Sequence, residues 1–165
     1  MVMATDFGRA YSAQVGNLLG DITLSCVQTH GVETAEQYAH RFLRLYATAE
    51  SPIESLVALH LAAHAAINQA LRVEGQAEID AYRVDFLVQC KASSRAGIVI
   101  ECDGHDFHER TKEQAARDRS KDRRLQTLGY LVLRFTGSEI VSSQALVTRE
   151  INKSIEELLL SAGVD

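Results

Sequence analysis

GIVIECDGHDFH, residues 97–108, is the stretch whose reading decides the fold. Ile98, Val99 and Ile100 are strand formers bounded by Gly97 and Gly104, and a run this short and apolar reads as a buried strand. Side chains on a strand alternate faces, so Glu101 and Asp103 leave on one side as a converging carboxylate pair. Cys102 points the other way, into the core, and leaves its backbone carbonyl near the strand end. Gly104 then permits a sharp turn that returns His105 and His108 towards the carboxylates. Taken singly, each of these residues reads as part of a solvated strand end or a loop. Five ionisable residues within the eight positions 101–108 read instead as a site, because titratable clusters at strand ends gather where chemistry is done.

Working back from this strand, Tyr82–Cys90 alternates, with Val84, Phe86 and Val88 on one face and Arg83, Asp85, Leu87 and Gln89 on the other. Asp is disfavoured in mid-strand, so Asp85 calls for compensation. A hairpin turn over residues 92–96 brings it beside Glu101, and pairing with Arg83 or another cation on that face is the plainer alternative. Ala77–Asp80 reads as a short edge strand. Ahead of it, SPIE at 51–54 opens a helix that runs to about Leu71. Ser51 suits the N-cap, Pro52 the first helical position, and Glu54 the capping-box place from which it reaches back to the Ser51 amide. His60 and His64 on its apolar stripe read as satisfied core histidines. Thr34–Ala49 is a helix with Tyr38, Phe42, Leu45 and Tyr46 on one stripe. Residues 1–30 read as an irregular helix weakened by Gly16 and Gly20.

Beyond His108 the pattern is helical to about Leu128, with Gly129 as its C-cap. Between Glu109 and Arg124 seven Lys or Arg stand against four acids, and the apolar stripe is thin. A mixed-charge solvated helix is the plain reading. A positive excess beside a candidate site, in a chain of net charge −5, is also what a phosphate-facing helix requires, with Arg117, Arg119, Lys121 and Arg124 as the contacts. Tyr130–Phe135 is a buried strand with one embedded arginine, Arg134. A closing helix from about Ser138 to Leu160 carries Leu146, Ile151, Ile155, Leu158 and Leu159. The expected fold is α/β (α+β): a mixed sheet of about four strands in a three-layer core, with the 97–103 strand central and the 109–128 helix as crossover. A helical N-terminal extension, 1–50, packs on a core domain, 51–165.

At 165 residues the chain can bury a core without staples. Cys26, Cys90 and Cys102 are odd in number, widely spaced and without a CxxC, which speaks against a disulfide framework or structural zinc and for a reducing compartment. No charged-then-apolar leader opens the chain, and the run Leu56–Ile67 is interrupted by two histidines. The expectation is a cytoplasmic protein with no membrane partner, monomeric or homodimeric.

YRVDF at 82–86, GIVIECDGHDFH at 97–108, Asp118, and LGYLVLRF at 128–135 together resemble the very-short-patch-repair (Vsr)-like branch of the PD-(D/E)XK restriction-endonuclease fold. Within it they most resemble the bacterial domains of unknown function. The resemblance covers about residues 51–138 and lies in the combination and order of the pieces. It implies a restriction-endonuclease-like core acting on DNA, most simply double-stranded, as a Mg²⁺-dependent (or Mn²⁺-dependent) endonuclease, nicking included. It further implies Asp85 and the Cys102 carbonyl as metal ligands with Glu101 beside them, His108 as the catalytic histidine, and Glu54 as the helix carboxylate at the site. The sequence departs from the ordinary motif at Asp103, where the superfamily has a lysine. Glu101 stands where the repair enzyme lacks a carboxylate, and no cysteine set resembles that enzyme's zinc site, so its mismatch specificity is not carried over.

On this reading Asp103 binds a second metal or orients His108 or His105, with His105 and Asp118 as auxiliaries. Two rivals remain: an inactive nuclease-fold module binding nucleic acid or a protein, and a zinc hydrolase on His105, His108 and Cys102 or Asp103. The second rival conflicts with the inward orientation of Cys102.

Overall fold

β3 (Gly97–Asp103) is the third strand of a four-stranded mixed sheet in the computed structural model, which describes residues 3–93, 96–104 and 111–164, with side chains from residue 13 onward. The sheet order is β1 (Leu71–Ile79), β2 (Tyr82–Cys90), β3, β4 (Tyr130–Thr136). β1–β2 and β2–β3 are antiparallel and β3–β4 is parallel. A parallel pair needs a long crossover, and the helix α4 (Lys112–Thr127) lies within it. Gly97 starts β3 for a steric reason: its φ is +125°, and a Cβ there would run into the Val88 carbonyl oxygen. Thr111 and Gln114 close a reciprocal capping box at the start of α4, and Gly129, at φ +90°, ends it.

The fold class is as expected: α+β, with a four-strand mixed sheet and a helical N-terminal segment. The chain forms two compact units, Met1–Gln69 and Ala70–Asp165. The first holds α1 (Met3–His30), α2 (Val32–Tyr46) and α3 (Pro52–Ile67). The second holds the sheet, α4, α5 (Gly137–Ser142) and α6 (Gln144–Ser161). α1 runs unbroken through Gly16 and Gly20, so the helical period of the surrounding apolar residues outweighs the propensity cost of two glycines. In α2, Tyr38, Phe42 and Leu45 are buried as expected, but Tyr46 is half exposed and rests its ring 5.5 Å from that of Phe42.

Three features differ from the sequence reading. The helix expected to reach Leu71 stops at Ile67, and Leu71 begins a nine-residue strand rather than a short edge at 77–80. Arg72, Glu74 and Gly75 carry no strand signal of their own; their pairing with Gln89, Leu87 and Phe86 makes them strand. The closing helix is broken at Ser143, where Thr136 and Glu139 cap the short α5 and α6 starts afresh. The restart turns Val147 inward and leaves Leu146 exposed. Third, Val84 and Leu87 share one apolar cluster with Ala77, Ile79, Val99 and Leu125. Residues three apart on a regular strand face opposite ways. The alternation therefore breaks between them, at Asp85, where the β1–β2 ladder skips a pair and the residue across, Gln76, has φ +51°.

Candidate active site

The β2–β3 ladder pairs Val88 with Ile98, Leu87 with Val99 and Phe86 with Ile100, and these are its pairs among the described residues. In the same register Asp85 would next face Glu101, and Val84 would face Cys102. Instead the Asp85 carboxylate fills the acceptor's place, and its Oδ2 accepts the Cys102 amide at 2.7 Å. This is the compensation that a mid-strand aspartate needs. Amide and carbonyl of one strand residue leave by the same edge, so the Cys102 carbonyl also faces the side of β3 that carries Asp85.

Glu101 is 7% exposed, and its Oε1 lies 2.7 Å from Lys121 Nζ on α4. The same ammonium donates to the Arg83 carbonyl at 2.6 Å. Lys121 reaches this spot because it stands one turn before Leu125, which is fully buried and seats that face of α4 on the sheet. Burial pushes the Glu101 carboxyl above its usual range; Lys121 opposes this, the nearby charge of Asp85 adds to it, and Arg134 opposes it again. Two carboxylates near enough to feel each other in a half-dry place make a spot that attracts cations.

Arg134 pairs with Glu101 in the β3–β4 register and spreads its guanidinium over two further carboxylates. One NH₂ group donates to Asp103 Oδ1 and the other to Asp122 Oδ1, both at 2.8 Å. Burial alone would depress the arginine, but Asp122, Asp103 and Glu101 together hold it above its ordinary value. Asp103 is thus met by a cation from β4.

The remaining expected residues are placed as follows. His105 and His108 lie outside the described residues. Glu54 is in the first unit, at the start of α3, where its Oε2 accepts the Glu50 amide at 2.9 Å and its Oε1 the Ser51 hydroxyl at 2.6 Å. The capping box is present in modified form, reaching Glu50 rather than the Ser51 amide. Of the four basic residues assigned to phosphate, Arg117 and Arg119 are exposed, Arg124 Nε lies 2.8 Å from Asp80 Oδ2, and Lys121 is turned to Glu101. Asp118 is half-buried one turn before Asp122. The sequence reading missed Lys121 and Arg134 as charge partners of the site. The signals were there: a lysine one turn from the best apolar residue of α4, and an arginine embedded in a strand.

Among the described residues no three His, Cys, Asp or Glu side chains come together as a metal cluster. The oxygen donors nearest to such a set are the carboxylates of Asp85 and Glu101, close enough for the charge of one to raise the other, and the Cys102 carbonyl on the Asp85 edge of β3. All are hard oxygens, and magnesium is held by one or two carboxylates while keeping several waters, so the set fits Mg²⁺ or Mn²⁺. Asp103, a ligand for the zinc alternative, is bound to Arg134.

A family model described as REase_MTES_1575, a restriction-endonuclease-like family, matches residues 57–155. The matched span contains Asp85, Glu101, Cys102, Asp103, Lys121 and Arg134 and leaves out Glu54. No curated protein and no solved structure matches the chain. Among the described residues no helix is long and apolar enough to cross a membrane.

Proposed function

Because the chain belongs to the restriction-endonuclease-like family REase_MTES_1575, we propose that it is a metal-dependent DNA endonuclease centred on Asp85 and Glu101, of the Vsr-like kind. The observation that carries this reading is the inserted Asp85 carboxylate, which replaces a rung of the β2–β3 ladder and lies beside buried Glu101. Asp85, Glu101 and the Cys102 carbonyl would hold Mg²⁺ or Mn²⁺, which when bound polarises the scissile phosphate and acidifies a water. The chain's own residues do the rest. Asp85 is oriented by the Cys102 amide, which donates to its Oδ2. Asp103, paired with Arg134, would bind a second metal or orient His108 or His105. His108 takes the proton from the attacking water, a step worth about 10²–10⁴ in rate. Arg117 and Arg119, exposed on α4, meet backbone phosphates of duplex DNA.

A second reading has an observation in its favour: Lys121 and Arg134 already balance Glu101 and Asp103 without a metal, as in an inactive nuclease fold that only binds nucleic acid or a protein. Incubation with supercoiled, linear and mismatched DNA in Mg²⁺ or Mn²⁺ separates the two. The endonuclease reading expects cleavage that chelation stops, His108→Ala to abolish it with metal affinity intact, and His105→Ala to be milder. DNA binding without cleavage in either metal favours the inactive module.

A further inference from the structure

We propose that Lys121 is a positioning residue of the catalytic centre, not a contact for DNA phosphates. Its ammonium, shared between Glu101 Oε1 at 2.7 Å and the Arg83 carbonyl at 2.6 Å, ties the strand carrying Asp85 to the strand carrying Glu101. This deepens the endonuclease reading and rests on it for the effect on cleavage.

The clamp sits where the backbone ladder has ended. Past Phe86 and Ile100, the described bonds between β2 and β3 are made by side chains: Asp85 to the Cys102 amide, and Lys121 to both strands at once. Arg83 is two residues before Asp85, and Glu101 immediately precedes Cys102, so the two links straddle the same gap. The ammonium donates a hydrogen bond to the Arg83 carbonyl and is paired in charge with Glu101. Position supports the same role. The Lys121 side chain is 17% exposed, whereas Lys112, Arg117, Arg119 and Arg123 on the same helix are exposed. A lysine drawn out to a phosphate would leave Glu101 buried beside Asp85 with its nearest cation gone, a costly state in a low-dielectric place. The helix cannot easily yield either, since Leu125 anchors the next turn at 0% exposure.

The test is Lys121→Met, which keeps length and loses charge. A misplaced ligand carboxylate predicts kcat lower by about 10²-fold, with KM for duplex DNA within about twofold of the parent. The salt dependence of metal-free DNA binding should keep its slope, whereas Arg119→Ala should flatten it by about 0.9, as for one phosphate contact. Independently of activity, Lys121→Met should lower the melting temperature in the parent but change it far less in a Glu101→Gln background, because the partner charge is already gone. A slope reduced by about 0.9 in Lys121→Met with kcat unchanged overturns the inference, as does an equal melting shift in both backgrounds. A parent chain that cleaves no DNA in either metal overturns the endonuclease reading and the role in cleavage; the melting comparison then decides the clamp alone.

Discussion

Glu54 and Glu101 are buried to nearly the same degree, 5% and 7% exposed, yet their charges are met in opposite ways. Glu54 is held by its own neighbours: the Glu50 amide and the Ser51 hydroxyl donate to its two oxygens within four residues of chain. Glu101 is satisfied from a distance, by Lys121 on α4 and Arg134 on β4, with Asp85 of β2 pressing against it. The difference teaches that burial of a carboxylate does not mark a site. A glutamate held in a helix cap has a structural role that local geometry supplies. One that sits beside a second carboxylate, and for which the fold must bring cations from other elements, is under a constraint that capping does not supply. Glu101 is therefore the firmer centre for the proposed site, and the cap role of Glu54 is one that mutation can separate from any part in cleavage.

The strongest way to break the contrast is through Arg134. Arg134→Met removes the guanidinium that Asp103 and Asp122 share and takes a cation from beside Glu101, so chemical denaturation should show a loss of about 3–5 kcal/mol. A loss under about 1 kcal/mol would mean that solvent already screens these charges.

A pH series sharpens it. Glu101 is held above the ordinary carboxylate range, so the folded protein keeps a proton that the unfolded chain has lost. Metal-free stability should then fall as pH rises from the ordinary carboxylate value through the raised one. Glu101→Gln should remove that fall. An unchanged profile in the variant would assign the dependence to other groups.

The smallest effect belongs to Glu54. Glutamine serves equally in a capping box, so Glu54→Gln should cost at most about 1 kcal/mol and leave the cleavage rate alone. A large loss of cleavage with stability retained would return Glu54 to the site.

How much of this the sequence shows depends on whether the deciding contact is local. The apolar run Ile98–Ile100, the alternation before it and the cap residues Ser51 and Gly129 are local signals, and they place β3, the start of α3 and the end of α4. The region Leu71–Gln76 is not legible as strand, because only pairing with β2 overrides Arg72, Glu74 and Gly75. The face of Val84 is lost in the same way: the break in alternation at Asp85 depends on Gln76 across the ladder. In the site, Asp85 and Glu101 can be read as neighbours from a hairpin. Which cation meets which carboxylate cannot, because Lys121 and Glu101 are joined only by how α4 lies on the sheet. A charge count along α4 sees a basic helix; it does not see that one of its lysines faces inward.

The most direct test of the Asp85–Glu101 centre is single-turnover cleavage of supercoiled DNA by the parent and Asp85→Asn, each started with Mg²⁺ or Mn²⁺. Asparagine can still accept the Cys102 amide through its carbonyl oxygen, so the fold is kept while a ligand charge is removed. The account predicts metal-dependent nicked or linear product from the parent and none from Asp85→Asn, whose melting temperature stays close to that of the parent. Equal cleavage by both proteins, or cleavage by the parent that persists in excess chelator, would contradict it.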